Sequence, residues 1–142
     1  MEQSTKESRI MGIDYGEKRI GIALSDPLFT FAYPFNTLQN DSSFLRNLSK
    51  IIVEKKIIKI ILGLPSSNFK SSKEISKKVI KLKVDIEKKN KIDVVLWDEE
   101  YSSAIAKEKI DESVYKKSKR RRKDLLDQHA AAVILQEFLD SE

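Results

Sequence analysis

The sequence predicts an α/β fold, a five-stranded mixed sheet with helices on both faces, and three observations predict it. The first is a period of two near the N-terminus, where Ile20, Ile22 and Leu24 interleave with Gly21, Ala23 and Ser25. The second is a switch to helical spacing after residue 43. The third is a pair of short apolar runs, 57–62 and 92–97, set between helical stripes. Strands first, then alternating helices and strands, give three antiparallel meander strands followed by two parallel ones.

Residues 9–15 read as a buried strand. The Gly16-Glu17 pair predicts a tight Gly-X hairpin into a second strand with one large and one small face. A third strand is expected within 30–38, at the sheet edge because Pro34 cannot donate to a ladder. Phe44, Leu45, Leu48, Ile51 and Ile52 form a helical stripe behind Asp41, Ser42 and Ser43, any of which can cap it. The strand 57–62 ends at Gly63-Leu64-Pro65. Ile75, Val79, Leu82 and Ile86 form the next stripe, before the strand 92–97. A shorter helix is expected from about 102 to 110. Leu126, Ala130, Val133, Ile134 and Phe138 make a last helical face. No repeat or long linker divides the chain, so 1–142 is read as a single domain, with 1–8 disordered and 112–123 a flexible basic loop.

A chain of 142 residues is long enough for one buried core, and 40% hydrophobic with 35% charged residues excludes collagen-like, disordered and membrane-embedded classes. The absence of Cys excludes disulfides, zinc fingers and thiol nucleophiles, and one His excludes a His-rich metal site. Any metal must be held mainly by oxygen. No export or membrane segment is apparent, so the chain is expected in the cytoplasm with no membrane partner. The net charge is +5, and 116–123 holds seven bases without an acid: Lys116, Lys117, Lys119, Arg120, Arg121, Arg122 and Lys123. The remainder has 20 bases against 22 acids. That focus reads as a phosphate-backbone contact, with a solvated charge run as the alternative.

Ligand sites of open α/β sheets lie beyond the carboxyl ends of parallel strands. Three such ends carry Asp14, Gly63-Leu64-Pro65 and Asp98-Glu99, and right-handed crossovers bring them to one edge. A carboxylate at Asp14, following Ile10-Met11-Gly12-Ile13, needs a cation or a partner, for which Lys18, Arg19 and a turn beside Gly16 are alternatives. Glu99 reads equally as a solvent-facing loop acid. Asp124 and Asp127 lie three apart at the start of the last helix, Asp124 as an N-cap or first-turn acid and Asp127 inside the helix. Carboxylates gathered from distant segments call for Mg²⁺ or Mn²⁺ among them, and an acidic metal cluster beside a basic loop is a nuclease combination. Trp97 is expected in the core, Asp26 in a turn, and His129 in a structural role off Asp127's face.

Read together, Gly12-Ile13-Asp14-Tyr15-Gly16-Glu17-Lys18-Arg19-Ile20-Gly21-Ile22-Ala23, Gly63-Leu64-Pro65, Asp98-Glu99 with Ser102-Ser103, and Leu126-Asp127-Gln128-His129-Ala130-Ala131 resemble the YqgF (RuvX) family. The resemblance implies a ribonuclease H-like fold related to Holliday junction resolvases, and bacterial members are regarded as nucleases that process the 5′ end of pre-16S ribosomal RNA. It implies Asp14, Glu99 and Asp127 as the catalytic, metal-binding acids for Mg²⁺ or Mn²⁺, with Lys18 and Arg19 near the substrate. Structured RNA, branched DNA and ribosomal precursor particles are the partners it implies, for a monomer or a homodimer. Two departures stand out. Glu100 occupies the position of the Arg in the family's D-E-R, and Ser66-Ser67-Asn68-Phe69-Lys70 replaces a loop that carries Asn and Gly in relatives. A Holliday junction resolvase is the alternative within this chemistry. A non-catalytic nucleic-acid-binding module is the alternative outside it, and retention of the three acids argues against it. An actin-type ATPase needs two such domains and a longer chain.

Overall fold

Three antiparallel strands open the chain: β1 (Arg9–Asp14), β2 (Arg19–Ser25) and β3 (Ala32–Gln39). Then follow α1 (Phe44–Glu54), β4 (Ile57–Leu64), α2 (Lys70–Asn90), β5 (Asp93–Asp98) and α3 (Lys119–Ser141). The computed structural model describes residues 7–64, 70–98 and 119–142, with side chains placed there except at 70–72 and 119–123. The sheet order is β3-β2-β1-β4-β5, antiparallel across β3, β2 and β1 and parallel across β1, β4 and β5. This is the mixed sheet the sequence predicts.

The two faces of β2 sort the helices. Ile20, Ile22 and Leu24 join Met11, Ile13, Ile60 and Leu62 beneath α1 and α2, which contribute Phe44, Leu48, Val79 and Ile86. On the other face, Ile10, Ala23 and Ile61 meet Ala131, Ile134, Leu135 and Phe138 of α3. Two glycines let α3 approach. A Cβ at Gly12 would lie 2.7 Å from Leu135 Cβ and 2.8 Å from the Ala131 oxygen, and one at Gly21 would overlap the Asp127 main chain. The small residues therefore leave no room between helix backbone and sheet.

Side chains pin α3 along its length. Gln136 accepts the Ala32 N–H at 2.8 Å and donates to the Thr30 carbonyl at 3.0 Å. Trp97 packs edge-on against Phe138 with ring centroids 5.7 Å apart, and its Nε1 donates to Glu137 at 3.1 Å. Trp97 thus joins β5 to the core beneath α3, half-buried.

Several local expectations change. The connection between β1 and β2 takes four residues, 15–18, and Gly16 does not adopt a positive φ. A side chain at Gly16 would overlap the Arg19 carbonyl, so crowding accounts for that glycine and a two-residue Gly-X turn does not. Pro34 sits on the outer strand, opposite Ala23 where the β2–β3 register shifts. At α1, Ser43 occupies the cap position without a side-chain cap bond; Asp41 accepts the Ser43 N–H at 2.9 Å and shapes the turn instead. Helix α3 starts at Lys119, inside the segment expected as a flexible loop over 112–123, because Lys and Arg are good helix formers. Glu7, expected within a disordered 1–8, is placed by a 2.9 Å ion pair with Lys56. Residues 1–6, the expected helix near 102–110, Glu99, Lys116 and Lys117 lie outside the described residues. Among the described residues no helix is long and apolar enough to cross a membrane.

Candidate active site

The parallel strands β1, β4 and β5 bring their carboxyl ends to one edge, where Asp14, Leu64 and Asp98 finish them. Leu64 and Asp98 are register partners. Asp14 is only 3% exposed and lies opposite Gly21 in the β1–β2 ladder. Alternation along β1 sends Ile10, Gly12 and Asp14 to the α3 side. Gly21 is also where α3 touches the sheet through the Asp127 main chain. One glycine thus links the two acids: it faces Asp14 across the ladder and carries Asp127 on its surface.

Asp127 is oriented from β2. The Nε of Arg19 donates to Asp127 Oδ2 at 3.1 Å and lies 3.6 Å from Asp124 Oδ1, with the Arg19 and Asp127 side chains 23% and 16% exposed. Arg19, expected beside the substrate and considered as a partner for Asp14, faces the carboxylates of α3. Thr37 Oγ1 donates to the Asp124 carbonyl at 2.9 Å, fixing the same turn from β3. Asp124 is not the N-cap expected from sequence, since α3 begins five positions earlier, at Lys119. Sequence reasoning missed Thr37 and the Arg19–Asp127 pair. Gly21, a glycine within a strand, was the available signal for close backbone approach.

Around this edge the connections are polar. Glu17, Lys18, Arg19, Gln39 and Asn40 line a cleft of about 660 Å³. Asn40 Nδ2 donates to the Gly16 carbonyl at 2.8 Å, and its N–H to the Lys18 carbonyl at 3.0 Å, tying the end of β3 to the β1–β2 connection. Lys18 is exposed there. Lys78 of α2 reaches Glu17 at 2.8 Å, and that hydrogen bond and charge hold the Glu17 carboxyl below its ordinary value.

Lys119, Arg120, Arg121, Arg122 and Lys123 form the first turns of α3, leading to Asp124 at this edge. Asp26 lies at the far end of β2 in the expected turn, accepting the Thr30 and Phe31 N–H groups at 2.7 and 2.8 Å. His129 is half-buried on α3. Among the described residues no three acidic or imidazole groups are gathered as a metal site. Asp14 and Asp127 are the two acids that the strand end and α3 bring to a common neighbour, and their oxygens suit a hard cation.

A family model described as "RuvX: Holliday junction resolvase" matches residues 8–141. A protein of Caldicellulosiruptor saccharolyticus named "Putative pre-16S rRNA nuclease" is 38% identical over 136 residues, covering 93% of this chain and 96% of that protein. A protein of the same name from Desulforamulus reducens is 33% identical over 135 residues, covering 94% and 97%. Among solved structures, "T. thermophilus RuvC in complex with Holliday junction substrate" superposes with a TM-score of 0.57 at 13% identity, over 94% of both chains. That likeness is one of fold, and the fold is ribonuclease H-like, as the resemblance implied. The family match over nearly the whole chain and the full-length relatives make the same assignment, and this chain belongs to the RuvX family.

Proposed function

We propose that this chain is a metal-dependent endonuclease that hydrolyses phosphodiester bonds in the 5′ region of pre-16S ribosomal RNA. The observation that carries the reading is the burial of Asp14 at the carboxyl edge, across the ladder from the glycine on which Asp127 rests. Two acids at one edge need compensating positive charge, and a divalent cation between them would supply it to both at once. Full-length relatives bearing the pre-16S rRNA nuclease name support the substrate.

Asp14 and Asp127, with Glu99 following β5, are the residues that would hold Mg²⁺ or Mn²⁺. Such a cation, when bound, supplies Lewis-acid stabilisation of charge on phosphate oxygens. Arg19 keeps the Asp127 carboxylate turned toward β2, so that acid is oriented before substrate arrives. Lys18, exposed in the polar cleft, and the basic start of α3 neutralise the nucleic-acid backbone on either side.

The family's resolvase description favours a second reading, cleavage of a four-way DNA junction by the same acids. Incubating the protein and its Asp14→Asn variant with a precursor RNA fragment and with a four-way junction, in Mg²⁺, Mn²⁺ or EDTA, tests both. Metal-dependent cutting of the RNA, absent from a folded Asp14→Asn protein, is expected. Preference for the junction moves the substrate to the second reading. Binding without cutting in every metal defeats both.

A further inference from the structure

The positive charge of this chain is in two places. Besides 116–123, α2 carries eight lysines against three acids, and everything outside those two stretches holds twelve bases against nineteen acids. The 20 bases against 22 acids outside 116–123 are therefore a basic α2 averaged with an acidic rest.

Helix α2 packs on the sheet through Val79 and Ile86, with Ile75 and Leu82 beside them, so its opposite side faces solvent. Lys73, Lys77, Lys81 and Lys88 fall on that side around Ile80 and Val84, which are 47% and 40% exposed. Lys78, Lys81 and Lys83 are paired, with Glu17, Asp85 and Glu87. Lys73, Lys77, Lys88 and Lys89 have no ion pair among the described residues. Helix α1 lies on the same face, where Arg46, Ser49, Lys50, Val53 and Glu54 line a groove of about 590 Å³ with Lys89. Among the described residues, the acids of this surface without an ion pair are Glu54 and Glu74, while Asp41 lies within the field of Arg46.

Both helices start at the edge that carries Asp14 and run away from it, and Lys78 ties α2 to the β1–β2 connection. The 21 residues of α2 span roughly 30 Å at 1.5 Å each. That matches about nine nucleotides of one strand at 3.4 Å of axial rise. The basic start of α3 meets the same edge from the other face of the sheet. Cations therefore follow a path from α3, past Lys18, and out along α2.

We propose that the outer face of α1 and α2 is a second phosphate-backbone surface, which holds duplex nucleic acid as it leaves the cleavage edge. The inference rests on the nuclease reading and adds a surface to it. A second copy of this chain is a poor occupant, because two lysine-rich helices repel. Phosphodiester groups are the matching chemistry, whether the duplex is RNA or DNA.

The test is a salt series of binding isotherms with an RNA stem and a DNA duplex, each long enough to cover α2, and with versions shortened by about nine base pairs. Lys73→Gln/Lys77→Gln/Lys88→Gln should flatten the log–log salt slope on long DNA by about 2 to 3, near 0.9 per lost contact, with a like loss on RNA. The difference should vanish on the shortened duplexes. Glu74→Lys should act in the opposite sense, steepening the slope by about 1. Circular dichroism checks that the variants fold. A steep wild-type slope unchanged in the triple variant and in Glu74→Lys overturns this surface and leaves the nuclease reading standing. A triple variant with an altered mass by light scattering and an unchanged slope also overturns it, in favour of an interface between copies. Failure of the wild-type protein to bind any of the duplexes overturns this surface, while the nuclease reading stands or falls on the cleavage assay with the precursor RNA and the junction.

Discussion

The Nε of Arg19, at the start of β2, donates to Oδ2 of Asp127 in α3 at 3.1 Å, across 108 residues of sequence. Both side chains are largely buried, and Asp124 adds a longer contact at 3.6 Å. Arg19 is thus the link by which the meander orients the acid of the last helix. Replacing Arg19 by Gln should lower stability by about 1–3 kcal/mol, the range for a hydrogen bond between charged groups and its exposed remainder. A double-mutant cycle with Asp127→Asn in urea melts reads the coupling, and a coupling indistinguishable from zero removes the orienting role. Arg19→Lys should not restore it, since a lysine lacks the fixed fork that aims Nε–H.

Gly21 and Gly12 set how closely α3 approaches the sheet. Gly12→Ala places a methyl 2.7 Å from Leu135 Cβ and should cost about 1–3 kcal/mol through overpacking. Gly21→Ala meets the Asp127 main chain, which cannot rotate away, and should cost more. Cleavage should fall further in Gly21→Ala than in Gly12→Ala at temperatures where both remain folded, because only the former displaces a site acid. Equal activity in the two folded variants would show that the position of Asp127 over Gly21 is not needed.

Acid should loosen the β2–β3 connection. Burial raises the Asp26 carboxyl, but the Phe31 and Thr30 N–H groups outweigh it and hold the group below its ordinary 3.8. Its contribution is therefore complete above that ordinary value and disappears as pH falls through the lower folded value. Asp26→Ala should be less stable than wild type at neutral pH, by about 1 kcal/mol as for a lost cap. The difference should shrink below about pH 4. Chemical melts across that range check it, and a gap that widens in acid contradicts the hydrogen-bond assignment.

Replacing Lys119, Arg120, Arg121 and Arg122 with Gln should weaken binding of RNA and junction DNA alike, and flatten the salt slope by up to about 4. Sequence preference should not change, because backbone contacts carry none. A salt slope equal to that of wild type would mean that the start of α3 does not meet phosphate.

Much of the architecture was legible in the residues themselves. Pro34 announced an edge strand, and the residues of β2 announced one large and one small face, which the structure gives to two helices and to one helix at close range. Asp14 stood out because a carboxylate ending an apolar strand has few stable explanations. The start of α3 and the partner of Arg19 were not legible. A run of like charges reads as a loop although Lys and Arg are also good helix formers, and the segment continues α3; Arg19 finds Asp127 only because Gly21 and Thr37 bring that turn of helix to β2 and β3. Local sequence encodes the elements, whereas the pairing of charges depends on which surfaces meet. The role of Glu99 rests on the family resemblance.

The placement of α3 as the cover of one sheet face also makes the two acids depend on different parts of the fold. The β1–β2 hairpin closes over a short sequence distance, whereas the contacts that dock α3 span most of the chain and close a far longer loop. Asp14 is placed by its own hairpin, whereas Asp127 reaches Gly21 only when α3 is docked. Detaching α3 would expose Gly12, Gly21 and Ala23 to water and leave Asp14 at the edge without Asp127. On the nuclease reading proposed above, cutting ability therefore depends on docked α3, and a molecule whose last helix is detached should leave nucleic acid intact.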